Sequence, residues 1–220
     1  MDELQAIQQR HSVRRFKSQP ISDEHASELF KIIDGINEES GLDVQLVRNE
    51  SKAFSGMMAK YGGFRGVTDY VAMVGKDDKL LGERCGYYGE RLVLQAQMMG
   101  LNTCWVALTY KKTTAVRVEK GNKLAIVIAI GYGEDDGKPH KSKTAEQVSN
   151  LQPCDLEWFK KGVECALLAP TAINQQAFTL TRDANEVEIK YHSPICREID
   201  LGIVKYHFEL GAGKDNFSWR

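Results

Sequence analysis

Two arginines and a serine at alternate positions near the start of the chain have the residue types of an anion-binding site. They lie in the segment Arg10-His11-Ser12-Val13-Arg14-Arg15-Phe16. In an extended backbone, residues 10, 12 and 14 point to one side and Val13 points to the other. Each guanidinium presents a planar, charged fork that fits a phosphate, and the serine hydroxyl adds a neutral donor. Taken alone, the segment is also compatible with a solvated basic patch, because surface exposure is the commonest fate of arginine.

Two later polar stretches could complete a site of this kind. Residues 138–143, Lys-Pro-His-Lys-Ser-Lys, form a small basic cluster. Beside Arg10 and Arg14, this cluster would help to neutralise a phosphomonoester, which carries nearly two negative charges. Residues 169–176, Ala-Pro-Thr-Ala-Ile-Asn-Gln-Gln, contain amide side chains that both donate and accept hydrogen bonds, as a heterocycle or a sugar alcohol requires. Each stretch is otherwise an ordinary solvated loop.

The sequence offers little support for other kinds of chemistry. Residues 131–137, Gly-Tyr-Gly-Glu-Asp-Asp-Gly, follow a predicted strand, but the third glycine is one place late for a dinucleotide fingerprint and the acidic residues would repel a pyrophosphate. There is no Gly-x-Ser-x-Gly elbow and no Walker loop. The five histidines show no ligand spacing beside carboxylates, so we predict no metal site. The five cysteines contain no Cys-x-x-Cys pair, which argues against disulfides and a structural zinc.

Composition narrows the class of protein further. The 220 residues are 42% hydrophobic and 27% charged, as in an ordinary globular protein. The net charge of -1 argues against a general nucleic-acid binder. No apolar run approaches the roughly 20 residues that span a bilayer, and the N-terminal residues lack the features of a signal peptide. We therefore expect a cytoplasmic protein without a nucleic-acid or membrane partner.

Hydrophobic periodicity predicts a mixture of helices and strands. The expected helices cover about 22–37, 87–99, 155–169 and 200–210, and the expected strands cover 44–48, 70–74, 103–108, 124–130, 177–181 and 186–191. The segment 87–99 is apolar on nearly all sides, which is typical of a central helix. The segment 124–130 contains no polar residue, which is typical of an interior strand covered on both faces.

The order of these elements repeats loosely. Residues 22–48 and 155–181 are each predicted as helix, turn and strand, and Glu83-Arg84-Cys85-Gly86 has a counterpart in residues 196–200. The identity between the two segments is weak, so coincidence stays open. A real repeat would mean two related halves about a pseudo-two-fold axis.

Together these motifs resemble the nitroreductase family, the FMN-dependent NAD(P)H oxidoreductases. The family's Arg-x-Ser-x-Arg-x-Phe motif matches residues 10–16 at every specified position. Its Ala-Pro-Ser-x-x-Asn-x-Gln-Pro loop is similar to residues 169–177, with Thr171 for the serine and Ala177 for the last proline. The central helix, the segment 100–105, the strand end at 130–132 and the late basic loop are also similar to the family.

The chain departs from the family's order, because the Ala-Pro loop usually follows the first helix. Residues 37–42 occupy that place here without the motif, which appears instead in the second half. The resemblance therefore implies an α+β, three-layer α-β-α fold in which residues 1–220 form one nitroreductase-like domain. This domain would be an intrachain pseudo-dimer with halves of roughly 1–150 and 151–220, present as a monomer or a weak homodimer. One FMN would lie between the halves.

The resemblance also implies roles for individual residues. The phosphate and ribityl oxygens would be held by Arg10, Ser12 and Arg14 with the adjoining His11, and Lys141 or Lys143 would close the phosphate site. Pro170, Thr171, Asn174 and Gln176 would face the ring system and the ribityl chain. The backbone near Ala107 and Leu108 would reach the reactive flavin nitrogen, and Arg65 would lie near the ring carbonyls.

The implied activity is transfer of a hydride from NAD(P)H through the flavin to a nitroaromatic, quinone or similar electron-poor acceptor, by a ping-pong mechanism. The cofactor would carry the chemistry, so no catalytic side chain is predicted. Two alternatives stay open at this point. One is an FMN-binding protein with little or no turnover, and the other is a flavin-free interaction module on the same fold.

Overall fold

The computed structural model describes all residues from Met1 to Arg220. Its central sheet has four antiparallel strands in the order β1-β2-β4-β3. The strands are β1 (Asp43–Val47), β2 (Asp69–Lys76), β3 (Asn102–Val106) and β4 (Asn122–Gly131). All four correspond to strands predicted from the sequence, and the fold is α+β as expected.

The two middle strands divide the interior into two hydrophobic cores. Along β4, Ile126, Ile128 and Ile130 pack into a large core on one face, whereas Val127 and Ala129 pack into a smaller core on the other. This alternation follows from the two-residue period of a strand. It confirms that the apolar segment 124–130 is an interior strand covered on both faces.

Helices cover mainly the face of the large core. They are α1 (Glu3–Gln9), α2 (Asp23–Ser40), α3 (Met57–Tyr61), α4 (Leu81–Met98), α5 (Ala145–Val148), α6 (Glu157–Leu167) and α7 (Arg197–Ala212). The opposite face has a thinner cover that consists of α3, a short 3-10 turn at Ser51–Phe54 and extended chain. None of these helices combines the length and the apolar character that crossing a membrane requires.

Helix α4 is central, as its apolar sequence predicts, but it begins at Leu81 rather than near residue 87. Glycines obscure its first two turns in the sequence, because glycine is a poor helix former. In the structure these glycines allow α7 to approach closely. A Cβ added at Gly82 would lie 2.5 Å from the Cβ of Glu198, and one added at Gly86 would lie 2.0 Å from the carbonyl oxygen of Ile199.

The crossing of α4 and α7 is reciprocal. A Cβ at Gly202 would lie 2.1 Å from the carbonyl oxygen of Glu83, just as one at Gly86 would meet Ile199. Each helix thus places a glycine against a carbonyl that precedes the other helix's glycine by one turn. This close approach brings the buried faces of the two helices together.

A second, three-stranded sheet follows α6. Strands β5 (Phe178–Asp183) and β6 (Glu186–Tyr191) form the predicted antiparallel hairpin, and β7 (Ser218–Trp219) pairs with β6 in parallel. The sequence analysis did not predict β7, which is only two residues long. The loop between α6 and β5 carries residues 169–177 and is hydrogen-bonded to α7 and to the loop 138–143.

Candidate active site

The segment 10–16 runs in extended form beside the edge strand β3. The Val13 amide donates to the Thr103 carbonyl at 3.0 Å, and the Phe16 amide donates to the Arg65 carbonyl at 2.9 Å. Val13 and Phe16 are buried in the smaller core, while residues 10, 12 and 14 line a cleft on the other side. Val13 therefore points away from the side of residues 10, 12 and 14 as predicted, although His11 and Arg15 also reach the lining of the cleft.

This cleft has a volume of about 580 Å³ and unites the polar motifs that are far apart in the chain. The segment 10–15 forms one wall, and Pro170, Thr171, Ile173 and Asn174 form the opposite wall. Residues of the late basic loop, among them Lys138 and His140, complete the lining. Only one lining residue is hydrophobic, so the cleft suits a highly polar ligand.

The positive charges of the cleft are largely free. The Arg10 side chain is only 3% exposed, and no protein atom accepts a hydrogen bond from its guanidinium. Arg14 and Lys138 take part in no ion pair. The acidic member of the lining, Asp135, is bound by Arg15, whose hydrogen bond lowers the pKa of that carboxyl. The net effect is a cleft whose Arg10 and Arg14 guanidinium groups donate no hydrogen bond to the protein and whose carboxylate is neutralised.

His11 fits this positive environment as a neutral side chain. Its burial lowers the pKa of the imidazole, and the nearby Arg10 charge lowers it further. A neutral imidazole keeps one donor and one acceptor nitrogen, so His11 can bind a polar ligand without adding charge.

On its interior side, Arg10 contacts a buried polar network that the sequence analysis missed. Its Nε lies 3.7 Å from Oε1 of Glu90, which is fully buried on α4. Trp105 Nε1 donates to Glu90 Oε2 at 2.8 Å, and His207 Nε2 lies 2.9 Å from Oε1. Because His207 Nδ1 faces the Cys165 carbonyl at 3.0 Å, that nitrogen is the donor. Helices α4 and α7 thereby fix the position of the cleft arginine.

A narrower apolar recess of about 110 Å³ adjoins the cleft. It shares Ser12, Arg14, Pro170, Thr171 and Ile173 with the cleft. The rest of its lining is mostly hydrophobic and comes from β3, β4 and the start of α7. The cleft and the recess are thus continuous, and the charged cleft narrows into the apolar recess.

One carboxyl group lies in the lining of this recess. Asp200, on the first turns of α7, is only 2% exposed and forms no ion pair. Its Oδ2 accepts from the Ala172 amide at 2.9 Å, from Gln175 Nε2 at 3.1 Å and from the Tyr191 hydroxyl. Burial raises the pKa of the Asp200 carboxyl above its ordinary value.

The wall opposite the arginines has an unusual backbone. Ile173, Asn174 and Gln176 have φ angles of 49°, 54° and 42°, in the left-handed region. A β-branched residue rarely adopts this conformation, and strain of this kind clusters at ligand-binding sites. The Ile173 side chain is 84% exposed at the rim where the cleft meets the recess.

The structure brings together eight of the residues singled out from the sequence and leaves five outside. Those in the lining of the cleft or the recess are Arg10, His11, Ser12, Arg14, Ala107, Pro170, Thr171 and Asn174. The side chains of Leu108, Lys141, Lys143 and Gln176 lie outside the lining, as does that of Arg65.

The residues outside the lining have identifiable structural contacts. The side chain of the buried Gln176 accepts from the Lys143 amide at 2.7 Å and donates to the Leu167 carbonyl at 2.7 Å. Lys143 Nζ donates to the Gln176 carbonyl at 2.8 Å. Lys141 contributes its carbonyl, which accepts from Asn174 Nδ2 at 2.8 Å. These contacts hold the two loops of the cleft together.

Comparison with known families agrees with this architecture. The family model described as "Putative TM nitroreductase" matches residues 2–212. The chain belongs to this nitroreductase family. A comparison with curated protein sequences finds no significant match.

Solved structures show the same nitroreductase fold. The "putative nitroreductase" of Thermotoga maritima superposes with a TM-score of 0.69 at 22% identity, covering 96% of this chain and 83% of that one. A "putative nitroreductase in complex with fmn" from Desulfovibrio desulfuricans gives a TM-score of 0.53 at 20% identity, over 70% of this chain and 99% of that one. A Parabacteroides distasonis "Putative NADH dehydrogenase/NAD(P)H nitroreductase" gives 0.53 at 21% identity, over 66% and 95%.

Sequence reasoning missed two carboxyl groups of the candidate site, Asp200 in the lining of the recess and Glu90 beside Arg10. Both occupy positions on apolar helix faces, where a carboxylate is unexpected. Asp200 shares its face with Ile203, Val204 and His207, at the helical spacings of three, four and seven residues. A charged residue within such a stripe was the available indication of a buried polar site.

Proposed function

We propose that this nitroreductase-family protein binds FMN in the cleft and works as an NAD(P)H-dependent oxidoreductase. The observation that carries the proposal is the buried guanidinium of Arg10, which has no hydrogen-bonding partner within the protein. Buried donors are normally hydrogen-bonded, because an unsatisfied donor has lost its hydration without compensation, and Glu90 at 3.7 Å is too distant to accept from Arg10 Nε. An anion bound beside Arg10 and Arg14 would supply the missing partner.

The residues present fit FMN at both ends of the cavity. The free charges of Arg10, Arg14 and Lys138 match the phosphate, and the Ser12 hydroxyl adds a neutral donor. The Thr171 hydroxyl can donate to the ribityl chain and Asn174 Oδ1 can accept from it, while Thr171 Oγ1 accepts from the Gln176 amide and Asn174 Nδ2 donates to the Lys141 carbonyl. The apolar recess that continues from the cleft suits a flat heterocycle.

The protein's own contribution is binding, orientation and exclusion of water. Bound FMN would supply hydride transfer between NAD(P)H and an electron-poor acceptor such as a nitroaromatic or a quinone. The apolar walls of the recess would keep water from the reacting atoms. Because a single recess adjoins the cleft, donor and acceptor would reach the flavin at that recess in turn, and we therefore propose ping-pong kinetics. Intersecting lines in initial-rate plots would contradict this order.

Replacement of Arg14 by alanine tests the cofactor site. We expect FMN affinity to fall by about 1.5–3 kcal/mol, or roughly 10- to 150-fold, the range for a hydrogen bond to a charged group. Fluorescence titration of the apoprotein with FMN gives the dissociation constant. Arg117→Ala is the matched control, because Arg117 is an exposed arginine that lines neither the cleft nor the recess. Equal affinities for the wild type and Arg14→Ala would refute the assignment of Arg14 to the phosphate.

The size of the recess favours one alternative strongly enough to test. At about 110 Å³ it is smaller than the roughly 300–1,000 Å³ of usual ligand pockets, and Ile173 stands at its rim. A protein that holds FMN but does not admit nicotinamide would have this property. Stopped-flow mixing with NADPH separates the two functions, since only the oxidoreductase loses its yellow absorbance. A purified protein that does not bind FMN at all would instead indicate an interaction module.

We further propose that one FMN binds per chain, between halves of roughly 1–150 and 151–220. The cleft draws its walls from both halves, and the reciprocal packing of Gly86 and Gly202 is the kind of contact that a pseudo-two-fold axis produces. Flavin content and sedimentation velocity test this proposal. We expect one flavin per chain in a monomer or a weak homodimer, and a ratio of two would overturn it.

A further inference from the structure

Asp200 is a buried carboxyl group in an unusual position. It is 2% exposed, lies in the lining of the apolar recess and forms no ion pair. A carboxylate in such surroundings has lost hydration without gaining a counter-charge. Its burial therefore favours the protonated form more than in an ordinary aspartate.

The two oxygens of Asp200 have different environments. Oδ2 accepts three hydrogen bonds, from Ala172, Gln175 and Tyr191. Oδ1 accepts none from the protein. The neutral acid keeps the contacts of Oδ2 if it carries its proton on Oδ1. The side chain is thus held by one oxygen, while the other is available to a molecule in the recess.

Among the titratable groups that line or approach the recess, Asp200 is the one suited to exchange a proton. Burial raises the pKa of Cys104 on β3 and of Cys196 at the start of α7, so both thiols keep their protons. Burial also raises the pKa of Tyr191, which approaches from β6. Arg14 is the one cation in the lining, and arginine stays charged in proteins. Burial raises the pKa of Asp200 itself above its ordinary acidic value, although the hydrogen bonds from Tyr191, Ala172 and Gln175 act in the opposite direction.

We propose that Asp200 is the general acid of the recess, donating the proton on Oδ1 to the acceptor as that molecule is reduced. This inference rests on the proposed oxidoreductase function. A quinone, for example, gains a hydride through the cofactor and one proton from Asp200. The O–H bond at Oδ1 breaks, a new O–H bond forms on the quinone oxygen, and the electron pair stays on the carboxylate. Asp200 then takes a proton from water after the product leaves.

Asp200→Asn is the central variant, because its amide oxygen can still accept the three hydrogen bonds while the ionisable proton is lost. Stopped-flow kinetics follows two steps separately: reduction of the bound cofactor by NADPH, and its reoxidation by menadione. We expect the first rate to be unchanged and the second to fall about 100- to 10,000-fold, the usual contribution of a general acid. The solvent deuterium isotope effect on menadione reduction should disappear.

Tyr191→Phe is the matched control for a purely structural role. It removes one hydrogen bond to Oδ2 but keeps the carboxyl group, so menadione reduction should retain most of its rate. Equal losses in Asp200→Asn and Tyr191→Phe, or equal losses in both steps, would overturn the acid assignment. Failure of the wild type to be reduced by NADPH would instead overturn the proposed function on which it rests.

The cofactor-free protein provides a readout that is independent of turnover. A raised pKa in the folded state means that folding binds a proton, so this contribution to stability is complete below the unfolded pKa of about 3.9 and is lost as pH rises through the folded pKa. Asparagine does not ionise. We therefore expect the urea midpoint of Asp200→Asn to exceed that of the wild type by an amount that grows with pH until the wild-type group is ionised. A pH-independent difference would overturn the inference.

Discussion

Ile173 is the residue whose replacement should affect stability and ligand binding in opposite directions. Its φ and ψ angles are 49° and 22°, and its side chain is 84% exposed beside the cleft. For an L-residue the left-handed conformation costs about 1–2 kcal/mol. The exposed side chain contributes little packing, so the strain is borne by the turn itself, in which the Asn174 and Gln175 amides donate to the carbonyls of residues 171 and 172. We infer that contact with the ligand is what the strained position provides.

The expected size of each effect can be estimated. Glycine removes the strain but costs about 0.5–1 kcal/mol in backbone entropy, so Ile173→Gly should stabilise the cofactor-free protein by about 0.5–1 kcal/mol. With an unfolding entropy of about 2.1 cal/mol/K per residue, 220 residues give a rise in Tm of about 1–2 °C. If FMN covers half of the side chain, its loss weakens binding by about 1 kcal/mol, or roughly fivefold.

Calorimetry of the cofactor-free protein and FMN titration together test this prediction. Ala184→Gly is the matched control, because Ala184 has a φ of 51° in the turn between β5 and β6, outside the cleft. It should raise Tm slightly and leave FMN affinity unchanged. A lower Tm for Ile173→Gly would show that the loop is not strained, and unchanged affinity would show that Ile173 does not contact the ligand.

Two further predictions concern the helices beneath the site. Replacing Glu90 by alanine leaves the buried Arg10 charge without its carboxylate, and should lower the free energy of unfolding by about 3–5 kcal/mol in urea titrations; wild-type stability would mean that the carboxylate is dispensable. Gly86→Ala should destabilise by at least about 1–3 kcal/mol, because its Cβ would lie 2.0 Å from the Ile199 carbonyl. Gly35→Ala on α2, where nothing lies within 4 Å, should stabilise by about 0.5–1 kcal/mol. A gain in both variants would contradict the close helix approach.

Features that depend on short-range periodicity could be predicted from the sequence. The placement of Val13 opposite residues 10, 12 and 14 and the apolar run 124–130 each follow from the two-residue period of extended chain, and both predictions are confirmed. Helix α4 shows the limit of this approach. Its first six residues include glycines that lower helix propensity locally, while the contact with α7 that favours them involves residues more than 100 positions later. The sequence order of the strands likewise does not specify that β4 lies between β2 and β3.

The residues of the candidate site also differ in whether the sequence alone identifies them. Residues such as Arg14 and Asn174 could be selected by type and motif, because a phosphate and a polyol need donors of that kind. Gln176 has an equally suitable type, but its amide is occupied by Lys143 and Leu167, contacts that only the folded chain defines. Asp200 is the converse case, since α7 brings it to the recess although no motif includes it.

The arrangement of these residues suggests how the site maintains its charge. Arg10 is free toward the cleft, but it is backed by Glu90, which also contacts His207. The carboxylate is too far from Arg10 Nε for a hydrogen bond, so the guanidinium keeps its donors available for an anion. Full pairing of Arg10 with Glu90 would stabilise the empty protein at the expense of binding. An orienting carboxylate at 3.7 Å allows the arginine to be held in place while its hydrogen-bonding capacity stays unused until a phosphate binds.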